Sequence, residues 1–227
     1  MKVELVAITK PVIEGVDTIE QFLAYCARVS NPSNQLNHET ASKLLSYCIK
    51  NQHWSVFETV NVVMSIETTR DIARQILRHR SFSFQEFSTR YAAVSNMSEP
   101  REARLQDQKN RQNSIETDDL GLAFDWITIQ NDLMREAQNA YEWALENGIA
   151  KEQARVVLPE GLTMSRMYMN GTLRSWMHYV DLRCGNGTQK EHREVAEACK
   201  KILIEEFPFL TATRFGVMPE DGHIPFA

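Results

Sequence analysis

The run from Thr59 to Arg90 constrains this chain more than any other. It passes from a strand pattern to a helix pattern to a cluster of ligand-type side chains without a single glycine. Thr59 to Thr68 is rich in valine, isoleucine and threonine, the composition of a buried strand. It leads directly into a short helix from Asp71 to Leu77, with Ile72, Ala73 and Ile76 on an apolar side and Arg70, Arg74 and Arg78 four apart on another. Like charges on one stripe repel each other unless something negative faces them. With no glycine at the junction, neither a Walker loop nor a G-x-G-x-x-G dinucleotide loop is available, and Gly185-Asn186-Gly187 has only the first half of such a motif. If a dinucleotide binds, side chains must hold its phosphates.

Suitable side chains follow at once. Arg78-His79-Arg80-Ser81-Phe82-Ser83-Phe84-Gln85-Glu86-Phe87-Ser88-Thr89-Arg90 sets three guanidiniums and an imidazole beside hydroxyls, an amide, a carboxylate and three phenyl rings. A guanidinium is a planar fork that matches phosphate or carboxylate oxygens two at a time, so Arg78, Arg80 and Arg90 point to a ligand with several anionic groups. Gln85, Glu86, Ser88 and Thr89 suit the edges of a sugar or a base, and Gln75 lies one turn before Arg78. The bland alternative is a solvated basic helix face followed by a polar loop. No Ser-His-Asp arrangement is readable around Ser88, so it reads as a binding hydroxyl.

Bulk properties narrow the classes. A chain of 227 residues with 43 % hydrophobic content buries a proper core and is most simply one domain over 1–227. The net charge of −5 disfavours a general nucleic-acid binder and suits a small anionic ligand. A single-stranded nucleic-acid reading, with Phe82, Phe84 and Phe87 stacking on bases, is the alternative. A nucleotide-hydrolysing protein needs a metal or base that is not readable. Met1 to Leu5 lacks the apolar core of a signal peptide and no stretch approaches membrane-spanning length, so a cytoplasmic protein without a membrane partner is expected. Cys26, Cys48, Cys184 and Cys199 form no C-x-x-C pair and read as reduced packing residues; no metal site is expected.

The remaining elements take their places along the chain. Val3 to Ile8 reads as a strand, and Asp17 or Thr18 caps a helix through Phe22, Leu23, Cys26 and Ala27 that stops before Pro32. A helix from about Glu39 to Lys50 precedes His53-Trp54-Ser55-Val56-Phe57-Glu58. A lone histidine there is ordinarily a packing or capping group. Val94 to about Thr117 turns polar and reads as an excursion that flanks the site or is disordered. Asp125 to Asn147 is a long helix whose Trp126, Ile129, Leu133, Ala137, Tyr141 and Ala144 stripe suits core or subunit interface, with Gly148 as its stop. Glu152 to Leu158 is a short helix closed by Pro159. Thr163 to Met169 reads as a third strand, which Asn170-Gly171-Thr172 turns into a helix ending near Leu182-Arg183. A last helix spans about Gln189 to Glu206. At least three strands surrounded by helices make a mixed α and β protein; the strand order is not readable.

The spacing of Arg78-His79-Arg80, Ser83, Ser88 and Arg90 fits R-H-R-x-x-S-x-x-x-x-S-x-R at all six fixed positions. In this the chain resembles the flavin-dependent thymidylate synthases. The resemblance extends from Ser30 to about Glu191 and implies an α+β fold with a small, mostly antiparallel sheet surrounded by helices. It implies conversion of dUMP to dTMP, with carbon from methylene-tetrahydrofolate and hydride from NADPH through FAD, in a homotetramer whose sites are shared between subunits. It implies FAD contacts by Ser30, Ser55, Arg78, His79, Arg80, Glu86, Thr172, Arg174 and His178. It implies dUMP contacts by Gln75, Arg78, Glu86, Phe87, Ser88, Thr89, Arg90, Arg155 and Arg183, with His53 and Arg183 in catalysis. Gln189 and Glu191 continue the resemblance. The chain departs from the pattern at Trp54 and Val56, where glutamate and proline are more usual. It departs again at Thr172, where an asparagine is usual and Asn170 stands two residues earlier. None of the cysteines follows a proline as the nucleophile of the folate-only thymidylate synthases does, so activation of the pyrimidine falls to charge stabilisation. An arginine facing N3 and O2 of uracil, for which Arg183 is the candidate, raises the electron density at C5.

Overall fold

The structure is a computed structural model that describes residues 1–94 and 97–212. Strands β1 (Lys2–Ile8), β2 (Asn61–Thr69), β3 (Ser83–Glu86) and β6 (Met164–Thr172) form one antiparallel sheet in the order β1-β2-β6-β3, and β4 (Arg104–Gln106) pairs with β5 (Ser114–Glu116) in a separate hairpin. The helices are α1 (Ile19–Ala27), α2 (Ala41–Lys50), α3 (Arg70–Ile76), α4 (Leu120–Glu146), α5 (Lys151–Ala154), α6 (Leu173–Arg183) and α7 (Lys190–Glu206). The α+β class with a small antiparallel sheet is as the sequence led one to expect.

The sheet is built on β2 and β6, paired without interruption from Asn61↔Thr172 to Thr69↔Met164. Val62, Met64 and Ile66 of β2 and Met167 and Met169 of β6 alternate inward, as period-two backbone requires. They meet Ile72, Ala73 and Ile76 of α3, Trp176, Met177 and Val180 of α6, and Val195, Ala196, Cys199 and Leu203 of α7 in one core. Each fully buried side chain of this size contributes about 1.5–3 kcal/mol. The Trp176 indole N–H donates to the Val62 carbonyl at 3.0 Å, so even the polar atom of the largest core residue is satisfied.

Two helix ends share one closing geometry. After α4, Gly148 takes a positive φ of 76°, with Gly148 N–H donating to Leu145 O and Ile149 N–H to Ala144 O. After α2 the same pair of bonds runs from Gln52 to Ile49 and from His53 to Cys48, but a glutamine with φ 58° fills the left-handed position. This turn delivers His53 to the surface. At the start of α1, Thr18 and Gln21 form the reciprocal capping box.

The structure refines four readings. The stretch after Arg80 is not a loop, because Ser83–Glu86 adds to β6 as an edge strand; Phe84 turns toward the core while its polar neighbours face out. Asn170, Gly171 and Thr172 continue β6, and the helix begins only at Leu173. The polar excursion carries the β4–β5 hairpin instead of being wholly disordered; residues 95 and 96 lie outside the described residues. On α4, which begins at Leu120, the C-terminal half of the apolar stripe is buried at Ala137, Tyr141 and Ala144, but Trp126, Ile129 and Leu133 are exposed in the single chain.

Gly171 sits under the Phe82 ring, where a Cβ would fall 2.4 Å from Phe82 Cδ1. Phe82 is itself wedged edge-on against Trp176 and Tyr179 and cannot retreat. Gly171→Ala is therefore expected to destabilise the fold by about 1–3 kcal/mol through overpacking. Adding Phe82→Leu should recover part of the loss in a thermal melt. An unchanged melting temperature for the single variant would show that the ring yields freely.

Candidate active site

The charged stripe of α3 is resolved by its neighbours. Glu160 lies 3.2 Å from Arg74 and 3.8 Å from Arg70, so one carboxylate of the protein itself faces two of the three cations. Arg78 and Arg80 are exposed, and their guanidiniums make no hydrogen bond or ion pair among the described residues. Between them His79 turns inward. Its Nε2 accepts a 2.9 Å hydrogen bond from Nε of Arg183, the last residue of α6, and its ring stands edge-on to Tyr179 at 5.0 Å. Burial, aided by the Arg183 charge, pushes the His79 pKa down to about 4, so the imidazole is neutral and can accept. Arg183 makes no other hydrogen bond among the described residues. Its two terminal NH2 groups remain available.

Behind His79 lies a second neutral histidine. His192 of α7 is fully buried, and its ring nitrogens are 3.2 Å from Gln75 Oε1 and 3.2 Å from the Tyr179 hydroxyl. Burial, with Arg183 and His79 adding to it, lowers its pKa to about 3. The Gln75 amide donates in turn to Gln189 Oε1 at 2.7 Å, which joins α3 to the start of α7. Gln75, His79 and Arg183 are thus gathered around His192 and Tyr179. His192 and Tyr179 were not singled out from the sequence. The signal was there, since 192 shares a helical face with Val195, Ala196, Cys199 and Leu203, but the run Lys190-Glu191-His192-Arg193 reads as solvated.

Other anticipated residues gather nearby in smaller groups. Glu86, on the same strand face as Phe84, accepts from the Ser165 hydroxyl at 2.9 Å. Phe87 extends the pairing of β3 through its N–H to Arg166 O. The nearly fully buried Thr89 accepts from Arg155 at 3.0 Å, while Arg90 faces Glu152 at 3.7 Å. Ser88 is half-buried between them. At the other end of β6, Thr172 spends its hydroxyl as the N-cap of α6, accepting from Ser175 N–H at 3.2 Å. Arg174 pairs with Glu58, and the His178 ring meets Trp54 at 4.8 Å. Ser30, His53 and Ser55 are exposed, with His53 edge-on to Tyr47. Burial of Phe82 removes the first of the three rings of the base-stacking alternative.

A buried bracket holds the excursion against this region. The fork of Arg101 takes both Asp71 oxygens at 2.8 Å and the Thr69 hydroxyl at 2.6 Å, and Gln130 of α4 grips the Arg101 backbone N–H and C=O at 2.9 and 2.8 Å. Burial alone would raise the Asp71 pKa, but the Arg101 and Thr69 bonds outweigh it and hold the carboxyl below its usual range. Between the hairpin, α4 and the first turn of α7 lies a cleft of about 690 Å³ lined by Arg104, Trp126, Gln189 and Lys190 among others. Burial pushes the Cys26, Cys48, Cys184 and Cys199 thiols up, Cys184 to about 11, which makes none of them a thiolate nucleophile at neutral pH.

Guanidiniums, amides and hydroxyls clustered around the sheet, without a glycine-rich loop, form a side-chain surface suited to a phosphorylated ligand. The family model described as thymidylate synthase complementing protein matches residues 12–209. The chain is 53 % identical over 208 residues to a probable flavin-dependent thymidylate synthase of Paramecium bursaria Chlorella virus 1, covering 92 % of this chain and 96 % of that one. It is 48 % identical over 215 residues to the flavin-dependent thymidylate synthase of Synechocystis sp., covering 93 % and 98 %. The crystal structure of a UMP/dUMP methylase, PolB of Streptomyces cacaoi, bound with 5-Br dUMP superposes with a TM-score of 0.76 at 26 % identity, covering 96 % of this chain and 97 % of that one. The chain belongs to the flavin-dependent thymidylate synthase family, a family of methyl-transferring enzymes.

Both buried histidines are neutral in the fold, whereas in the unfolded chain they titrate near 6.5. The unfolded state therefore binds more protons below that pH. Stability should be flat above about pH 7 and fall as the pH drops from 6.5 toward 4, each histidine contributing a slope of up to about 1.4 kcal/mol per pH unit. Asp71, with its lowered pKa, removes further stability only at lower pH. Denaturant melts at pH 8, 6.5, 5.5 and 4.5 check this. Equal midpoints at 6.5 and 4.5 would contradict the neutral-histidine assignment.

Proposed function

We propose that this chain reductively methylates dUMP to dTMP, taking the carbon from methylene-tetrahydrofolate and reducing equivalents from NADPH. The observation that carries the reading is the contact of Arg183 with neutral His79 inside the family signature. The His79 acceptor occupies Nε–H and fixes the plane of the guanidinium, which leaves its terminal NH2 groups to face a pyrimidine. Negative charge developing on N3 and O2 is stabilised there without an enzyme thiolate, in keeping with the raised cysteine pKa values. Gln75, Glu86, Phe87, Ser88, Thr89, Arg90 and Arg155 hold the nucleotide, with Arg78 and Arg155 serving its phosphate, and His53 lies beside it.

The donor set fits FAD. Two exposed guanidiniums without protein partners, Arg78 and Arg80, suit its diphosphate, and Ser30, Ser55, His79, Glu86, Arg174 and His178 complete the set. Thr172 enters through its cap of α6, which orients Arg174 and His178. When bound, FAD supplies the hydride that turns the transferred carbon into a methyl group. The surrounding residues position the pyrimidine and exclude water. A cytoplasmic location belongs to the same proposal, and the four cysteines are unpaired.

We further propose the homotetramer with sites shared between subunits. In support, the anticipated site residues lie in separate groups on one chain. The N-terminal half of α4 also presents Trp126, Ile129 and Leu133 to solvent on one side, an apolar face that a second copy would cover, with Leu120 and Phe124 exposed on the other side.

Arg183→Ala is expected to keep its flavin spectrum after desalting yet lose dTMP formation by a factor on the order of 10²–10³. Near-normal turnover removes Arg183 from the mechanism, and a wild-type protein that retains no flavin sinks the whole reading. Light scattering should give four times the 26.2 kDa chain mass. A monomer mass would rule out shared sites.

A further inference from the structure

The hydrogen bonds behind Gln75 form one directed chain. Its direction is set at the far end, by a residue that can only accept. Glu191 takes a bond from the guanidinium of Arg104 on β4 and another, at 2.9 Å, from the Gln189 amide N–H. Because Gln189 must donate to Glu191, its oxygen faces Gln75, which must then donate to it. Because Gln75 donates there, its oxygen faces His192, so His192 carries its proton on Nδ1. Nε2 is left as an acceptor, and the Tyr179 hydroxyl donates to it. Every step follows from the one before. The sequence Tyr179 to His192 to Gln75 to Gln189 to Glu191 runs from the buried core to the hairpin cleft with a single allowed polarity.

We infer that this chain, with His192 as its buried member, positions Gln75 so that the second N–H of its amide is offered to the substrate as a donor. This deepens the reading above and rests on it, since it takes Gln75 to touch dUMP. Gln75 is half-buried, one of its two N–H groups is spent on Gln189, and its oxygen is spent on His192. The outward group is a donor, which suits a carbonyl or phosphate oxygen of the nucleotide. The same chain gives the polar excursion a task, because Arg104 fixes the Glu191 carboxylate and β4 thereby bears on the orientation of an amide in the site. His192 and Glu191 are positioning residues that act through Gln75.

The inference predicts a reversal. In Glu191→Gln, Arg104 can still only donate, so the new amide turns its oxygen to Arg104 and its NH2 to Gln189. Gln189, Gln75 and the His192 tautomer must then all invert, and Gln75 offers an oxygen where it offered an N–H. Nitrogen-15 spectra of the flavin-loaded protein should show His192 protonated on Nδ1 in the wild type and on Nε2 in Glu191→Gln. The dUMP KM should rise about tenfold while kcat changes by less than about threefold and flavin retention is unchanged. His192→Phe leaves the Glu191 end, and with it the polarity of Gln75, in place, and should raise the dUMP KM less than Glu191→Gln does; Glu191→Gln decides the matter where that variant fails to fold. Wild-type protein that does not bind dUMP overturns the functional reading. Wild-type protein that binds dUMP, beside a Glu191→Gln variant with the same KM and the same tautomer, overturns the chain alone.

Discussion

The uninterrupted pairing of β2 with β6 is what the rest of the structure depends on. Each of these strands runs without a loop into its own helix, β2 into α3 at Thr69–Arg70 and β6 into α6 at Thr172–Leu173. Antiparallel pairing sets those two junctions at opposite ends of the sheet. Both helices pack on the same sheet face, so they approach the middle from opposite directions, and the residues just beyond α3 meet the last turn of α6. His79 and Arg183, 104 positions apart in sequence, meet for that reason. The register also sets Gly171 where the Phe82 ring must lie, and Phe82 in turn leads the chain into β3. Fold and site are therefore one construction.

Bringing those ends together creates a buried polar interior that hydrophobic burial alone would oppose. An unsatisfied buried donor or acceptor costs about 1–3 kcal/mol, and His192 and Tyr179 lie wholly inside. The fold meets this with saturation: both His192 nitrogens are bonded, the Tyr179 hydroxyl is bonded, and the histidines remain neutral so that no unpaired charge is enclosed. A satisfied chain of this kind is rigid because no member can rotate without orphaning its neighbours. Rigidity is what a site needs when it must hold a weakly nucleophilic base in place.

Much of this was legible in the sequence, and the failures have physical causes. The strands at Val3–Ile8 and Thr59–Thr68, the capped helix at Thr18 and the stop at Gly148 were readable because local chemistry dictates them. Arg78 and His79 were singled out through the signature, Gln75 through its spacing from Arg78, and Arg183 through the wider resemblance. The edge strand Ser83–Glu86 was hidden because its polar residues are ligand-type, so function masks the strand pattern. Asp71, Arg101 and Glu160 were not singled out because their partners are distant in sequence; only the fold shows Arg101 stapled across 30 positions to Asp71. On α4 the stripe was read as core or subunit interface, and the single chain buries only its C-terminal half, since an apolar stripe does not say whether the surface covering it belongs to the same chain.

That distinction also sets apart the arginines that have no carboxylate partner. The chain holds many, and most have a structural partner: Arg70 and Arg74 have Glu160, Arg101 has Asp71, Arg104 has Glu191, Arg166 has Glu67 and Arg174 has Glu58. A paired guanidinium must give up its carboxylate before it can take a phosphate, so each such site begins with a deficit. Within the signature, Arg78 and Arg80 bear no such deficit, and Arg183 is bonded through a neutral imidazole that withdraws none of its charge. A cation held by a neutral acceptor is positioned at little electrostatic expense, whereas one held by a carboxylate is positioned and neutralised together. Replacing His79 by an acidic residue would keep the geometry and cancel the field. A neutral histidine at this point gives the guanidinium an orientation while leaving its charge for a ligand.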